Sequence, residues 1–109
     1  MATYKGETID LTPTEAMAEE AQRFFDWRAE GEQGGTDVAV ARARQLVNRQ
    51  ELSPETVRRT HSFFSRHEVD KEAEGFRPGE DGYPSPGRVA WAAWGGDPGQ
   101  SWERGKAAS

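Results

Sequence analysis

"LSPETVRRTHSFFSRH", residues 52–67, is the stretch from which the rest of the chain can be read. Ser53 stands directly before Pro54, and that pair marks a helix start. The hydroxyl accepts from the first free backbone N–H groups, while proline at the first helical position has a preset φ and no N–H to leave unsatisfied. Leu52 and Val57 occupy the two positions of a hydrophobic staple across that start. Val57, Thr60 or His61, and Phe64 then recur at helical spacing, with Phe63 on the margin of the stripe. The segment is therefore expected to be a helix that buries this face and displays Arg58, Arg59, Ser62 and Arg66. It stops near His67 or continues to Glu74, where Gly75 would end it.

The same punctuation recurs on both sides. Thr12-Pro13-Thr14-Glu15 opens a helix to Glu30, with Glu15 completing a capping box and Gly31 taking the left-handed position after the last turn. Its apolar positions are Met17, Ala21, Phe24 and Trp27, broadened by Phe25. "GEQGG", residues 31–35, breaks the chain before a second helix from Thr36 or Asp37 to Asn48. Ala39, Val40, Ala43, Leu46 and Val47 share its apolar face, opposite Arg42, Gln45 and Arg49. Further on, Ser85-Pro86 opens a short helix to Trp94, which Gly95 ends. Asp97-Pro98 opens another, with Asp97 as the cap and Gln100 at the capping-box position. Between them, "GFRPGEDGYPS", residues 75–85, is a Gly/Pro-rich loop that Phe76 and Tyr83 pin down. No strand-like alternation of useful length and no internal repeat appear. The fold expected is all-α: one compact bundle of four to five short helices over residues 12–104, with a flexible segment at 1–11 and a frayed tail at 105–109.

Composition limits the core of such a bundle. Leu, Ile, Val and Phe account for fifteen of 109 residues, below the roughly 20% common in globular chains. Aromatics must compensate, since each buried Trp or Phe removes roughly 150–250 Å² from water. The core is therefore assigned to Phe24, Leu46, Val57, Phe64, Phe76, Trp91, Trp94 and Trp102. No cysteine is present, which excludes disulfides, thiolate metal sites and cysteine nucleophiles. Neither a signal peptide nor a membrane span is legible in the sequence.

No catalytic, cofactor-binding or metal site emerges. His61 and His67 lie six residues apart, about 120° around a helix, whereas a helical metal pair needs one turn. Ser53 and Ser85 are used as caps, and no nucleophile elbow exists. "WGGDPG" leads into a helix start, but Asp97 occupies the place an anion would take and would repel it.

Charge is more informative. Residues 1–35 hold eight acids against three bases, residues 36–67 three acids against six arginines, and residues 68–109 eight acids against five bases. The basic middle nominates Arg42, Arg49, Arg58, Arg59 and Arg66 as candidate nucleic-acid contacts. The alternative is that these arginines pair with the acidic N-terminal helix and the "EVDKEAE" segment.

Residues 34–102 also carry a composite pattern: "ARAR" followed by Asn48-Arg49, "LSPETV" leading into "SFFSRHEVDK", a "GYPSPGR" link, and Trp91, Trp94 and Trp102 around "WGGD". In this combination the chain resembles a small domain of tailed bacteriophages and prophages. That resemblance implies a phage or prophage source, in the host cytoplasm or the virion, and brings no catalytic residues with it. The first 33 residues lie outside the resemblance, which implies that they are an appendage. The resulting expectation is a non-enzymatic accessory or structural module without cofactors. It would bind a viral structural or host protein, with Trp91, Trp94 and Trp102 as the candidate partner surface. Nucleic-acid binding through the helices around residues 42–66 is the alternative, and no membrane is involved.

Overall fold

The computed structural model describes residues 2–4 and 7–107. They form an all-α bundle of five helices: α1 (Glu15–Ala29), α2 (Asp37–Val47), α3 (Pro54–His67), α4 (Pro86–Ala93) and α5 (Gly96–Ala107), with a short 3₁₀ turn over Glu68–Glu72 after α3. Three of the starts are those expected. Thr36 Oγ1 accepts from Ala39 N–H at 3.2 Å, Ser53 Oγ from Thr56 N–H at 3.1 Å and Ser85 Oγ from Arg88 N–H at 3.1 Å. The staple residues Leu52 and Val57 are both buried.

The bundle is organised around α4, which touches each of the other four helices. A helix surrounded on all sides must be apolar all round, and "PGRVAWAA" has one charged residue in eight. Val89, Trp91, Ala92 and Ala93 are buried in it. Trp91 is edge-on to Phe64 at 4.6 Å and to Phe76 at 5.9 Å. The core residues Phe24, Leu46, Val57, Phe64, Phe76, Trp91 and Trp94 are buried as expected, whereas Trp102 is only partly so. On α3 the buried polar position is Thr60, whose hydroxyl turns back to the Thr56 carbonyl at 2.9 Å. His61 is half-exposed, with its Nδ1 2.8 Å from the buried carboxylate of Glu103.

Several expectations at the ends need correction. The cap of α1 is Thr14, not Thr12. Its hydroxyl accepts from Met17 N–H at 3.2 Å, and its own N–H points to the Met17 sulfur at 3.4 Å, so methionine rather than Glu15 completes the box. Thr12 is engaged elsewhere, its N–H on Asp10 Oδ1 at 3.0 Å. The N-terminal segment is not an appendage: α1 packs on α2 and α4 and buries Met17, Ala21 and Phe24. Ahead of it, β1 (Ala2–Tyr4) and β2 (Glu7–Ile9) pair antiparallel with Ala2 opposite Ile9, where a flexible segment without strands was expected. Met1, Lys5 and Gly6 lie outside the described residues. Leu11 is fully buried, and its carbonyl accepts from Leu52 N–H at 3.0 Å. Of the expected frayed tail, Gly105–Ala107 continues α5, and Ala108 and Ser109 lie outside the described residues.

At the corner between α4 and α5, Gly95 and Gly96 both have positive φ, +109° and +62°, a region in which a side chain is strained. Helix α5 begins at Gly96, one residue before the expected cap. Asp97 is thereby carried into the first turn. There its carboxylate accepts from Trp91 Nε1 at 2.9 Å and meets Lys71 Nζ at 3.0 Å. Gln100 is buried rather than part of a capping box, its Oε1 accepting from Lys71 Nζ at 3.3 Å. The 75–85 loop is held by its own bonds: Ser85 N–H donates to the Gly75 carbonyl at 2.9 Å, and Glu80 Oε1 accepts from Gly75 and Arg77 N–H at 3.1 and 2.9 Å.

Candidate functional site

An open groove of about 860 Å³ runs between the outer face of α3 and the N-terminal ends of α2 and α4. Its floor is apolar. Beneath it Phe63 lies stacked on Trp94, with ring centroids 4.7 Å apart and planes at 12°, both nearly buried at 6% and 7% exposure, and buried Ala39 and partly buried Ala90 lie beside them. Val38, 54% exposed, stands at its edge. The "GEQGG" link closes one end. Gly34 has φ +142°, and a Cβ there would sit 2.4 Å from the Pro86 carbonyl oxygen. Only glycine allows the α1–α2 connection to lie against the first turn of α4 in this way.

Helix α3 supplies the polar side. Arg58, Arg59, Ser62, Arg66 and His67 all line the groove, with Glu55 and Asp70 among them. Arg59 Nη2 donates to Glu55 Oε1 at 2.8 Å, one turn back on the same helix. His67 Nδ1 lies 3.2 Å from Asp70 Oδ2, and its ring rests 4.6 Å from Phe63. Among the described residues, Arg58 and Arg66 have no carboxylate within ion-pair distance, and both are exposed. No hydrogen bond joins Ser62 to the His67–Asp70 pair among the described residues. The linkage a catalytic triad requires is thus missing.

The five candidate arginines therefore divide. Arg58, Arg59 and Arg66 share the groove face. Arg42 does not: only 6% exposed, it donates through Nη1 to Gln45 Oε1, its guanidinium lies 5.1 Å from the Trp94 centroid, and its Nε has no partner. Burial first, and the charge of Arg59 second, pull its pKa below the ordinary value. Arg42 is withdrawn as a phosphate contact because its charge is spent inside the bundle. Arg49 sits in the α2–α3 turn at φ +48° and donates through Nε to the Pro13 carbonyl at 2.8 Å, which ties the N-terminal segment down. Wholesale pairing with the acidic flanks does not occur either. Of the five, Arg59 alone takes a carboxylate among the described residues, while Glu20 goes to Arg88 and Glu68 to Arg104, at 2.8 and 3.0 Å.

The tryptophans are likewise corrected as a joint partner surface. Trp91 is 1% and Trp94 7% exposed, and Trp102 is partly covered with the Lys106 ammonium 5.8 Å from its ring. Trp94 alone contributes to the groove. The contribution of Phe63, Ala90 and Val38 was not foreseen. The available signal was the position of Phe63 at the margin of its stripe, where a side chain belongs partly to the core and partly to the surface.

Two further clusters complete the inventory. Arg88, Glu20 and Asp97 line a cleft of about 190 Å³ against Phe76 and Trp91, where Arg88 Nη2 and Glu20 Oε1 are 2.8 Å apart. Glu103, wholly buried on α5, receives His61 Nδ1 at 2.8 Å on one oxygen and has no partner on the other. Desolvation raises its pKa, which the bond and charge of His61 only partly offset. Among the described residues no group of three His, Cys, Asp or Glu is placed to hold a metal ion, and no helix is long and apolar enough to cross a membrane. No family model, curated protein or solved structure matches the chain.

Proposed function

We propose that the chain is a non-enzymatic binding module that holds a protein partner in the α2–α3–α4 groove. Its context is the phage accessory or structural role that the sequence resemblance implies: virion assembly or host-factor binding, in the virion or the host cytoplasm. The observation that carries this reading is the joint presence of an open groove with apolar lining, exposed Val38 at its edge, and two arginines without acids among the described residues. Apolar surface rimmed by polar groups is the composition of a protein contact site, with buried aromatics and arginine as its usual energetic centres. Nucleic-acid binding by Arg58, Arg59 and Arg66 is the second reading, because the three share one exposed face. Glu55 and Asp70 in the same groove, and a net charge of −5, oppose the approach of a polyanion.

The test is cross-linking of the tagged chain in phage-infected cells, followed by reconstitution with the protein so identified. Val38→Glu, an exposed substitution on the groove edge, is expected to weaken that complex at least about tenfold. Binding that survives Val38→Glu unchanged removes the groove as the contact surface. Steeply salt-dependent retention on DNA or RNA, lost in Arg58→Glu/Arg66→Glu, favours the second reading instead.

A further inference from the structure

We infer that the occupant of the groove is a short amphipathic α-helix of the partner, carrying two carboxylates about two turns apart on either side of an apolar face. This rests on the binding-module reading above and names the chemistry of the partner.

Charge supplies the first constraint. Arg58 and Arg66 are the groove cations without acids among the described residues, since Arg59 is satisfied by Glu55. They stand eight residues apart on α3, about 12 Å along its axis at roughly 1.5 Å per residue. On a second helix, positions i and i+7 share a face and lie about 10.5 Å apart, a difference that long arginine side chains absorb. Two discrete carboxylates at that spacing meet both guanidinium groups and avoid Glu55 and Asp70. A continuous polyanion could not avoid them.

Backbone chemistry supplies the second. The described residues that line the groove belong to helices α2, α3 and α4, the glycine link and the turn after α3. An extended segment laid along Ala90 and Val38 would find no sheet edge among the described lining residues to receive its N–H and C=O groups, and burying these unpaired is costly. A helix satisfies its own backbone and presents only side chains, the mode in which amphipathic helices fill apolar grooves. The volume of about 860 Å³ suits the few apolar side chains on one face of a two-turn segment, and exposed Val38 adds an apolar contact to the lining.

The probe is a labelled 14-residue peptide with Glu at its positions 4 and 11, Leu at 7 and 8, and Ala, Gln and Lys elsewhere, titrated with the full chain by fluorescence anisotropy. Two further peptides carry Gln or Lys in place of the two Glu, and a fourth carries a central proline on its outward side. The Glu peptide is expected to bind at least about tenfold more tightly than the Gln peptide and to gain helical circular dichroism on binding. Arg58→Glu/Arg66→Glu is expected to reverse the preference, so that the Lys peptide binds best. Arg58→Gln/Arg66→Gln, milder at two exposed positions, is expected to abolish the preference.

No binding of the Glu peptide up to about millimolar concentration, equal binding of Glu and Gln peptides, no reversal, or full binding of the proline peptide each overturns the inference. Sedimentation showing self-association that disappears in Arg58→Glu/Arg66→Glu also overturns it, by making a second copy the occupant. These failures leave the module reading standing if Val38→Glu still releases the identified partner. If Val38→Glu releases neither peptide nor partner, the reading itself falls.

Discussion

Asp97→Ala should destabilise the wild-type chain by about 1–2 kcal/mol, and a Trp91→Phe chain by much less. The carboxylate of Asp97 accepts from Trp91 Nε1 at 2.9 Å and meets Lys71 Nζ at 3.0 Å. A hydrogen bond to a charged acceptor contributes roughly 1.5–3 kcal/mol when buried. Here the Asp97 side chain is 70% exposed while Trp91 is 1% exposed, so water competes at one end only and about 1 kcal/mol is the appropriate figure. The Lys71 pair adds about 0–1 kcal/mol, as exposed pairs do. Phenylalanine cannot donate, so the tryptophan part of the cost should vanish in that background and leave a coupling energy of about 1 kcal/mol.

The competing account has Asp97 acting on the start of α5 through the helix dipole, for about 0.3–1 kcal/mol. That contribution would be equal in both backgrounds and the coupling would be zero. Urea unfolding of the four proteins of the cycle, followed by far-ultraviolet circular dichroism so that the loss of an indole does not disturb the signal, separates the two. A coupling below about 0.3 kcal/mol, the scatter of independent sites, refutes the bond as the reason for this corner. Acid provides a second check. Burial draws the Asp97 pKa upward, but the bonds from Lys71 and Trp91 and the charges of Lys71 and Arg88 outweigh it and leave the carboxyl below its ordinary value. A depressed carboxylate contributes stability that is present above its unfolded pKa and lost as the pH falls through its folded one. The coupling should shrink on the acid side.

Gly34→Ala, which would set a Cβ 2.4 Å from the Pro86 carbonyl oxygen at φ +142°, should cost at least about 2 kcal/mol in urea unfolding; a neutral result would mean that the link does not lie on α4. Leu11→Ala, at a fully buried position, should cost about 2–5 kcal/mol, whereas an effect below about 0.5 kcal/mol would return the segment before α1 to the status of an appendage. Glu103→Gln should show no gain over wild type near pH 4 and a growing gain toward about pH 7. A raised folded pKa favours the folded chain in acid, and this advantage is lost as the pH rises through that value. A wild type that loses ground to Glu103→Gln on acidification would contradict this.

Helix starts were legible because capping is local chemistry. Ser53 and Ser85 act within three residues of themselves, and the structure places both where sequence does. Failures occurred where a side chain had a distant alternative. Asp97 looks like a cap until Trp91 and Lys71 are brought beside it, and neither is adjacent in sequence. Arg42 looks like a surface cation opposite an apolar face, but packing of α4 against α2 places Trp94 beside it. Thr12 and Thr14 flank Pro13 and are the same residue type, so local chemistry does not choose between them, and the Pro13 carbonyl is held by Arg49 from 36 residues away. The groove was half legible. Its arginines follow from the displayed face of α3, but its floor depends on the juxtaposition of three helices, which no single stretch encodes.

Residue size explains why the groove lies where it does. A core short of aliphatics is built here from flat rings, Phe63 on Trp94 and Phe64 against Trp91, and rings leave broad faces that short helices must cover. On α4 the alanines Ala92 and Ala93 are buried, letting neighbouring helices approach closely. Ala90 has the same small side chain at a partly buried position on the groove, where nothing rises to fill the space between α3 and the start of α2. A larger aliphatic there would extend the core outward into the groove, the ordinary outcome for a domain selected for packing alone. The composition that closes the bundle with small residues thus also leaves a groove over its aromatic core, beside the two arginines that lack acids among the described residues.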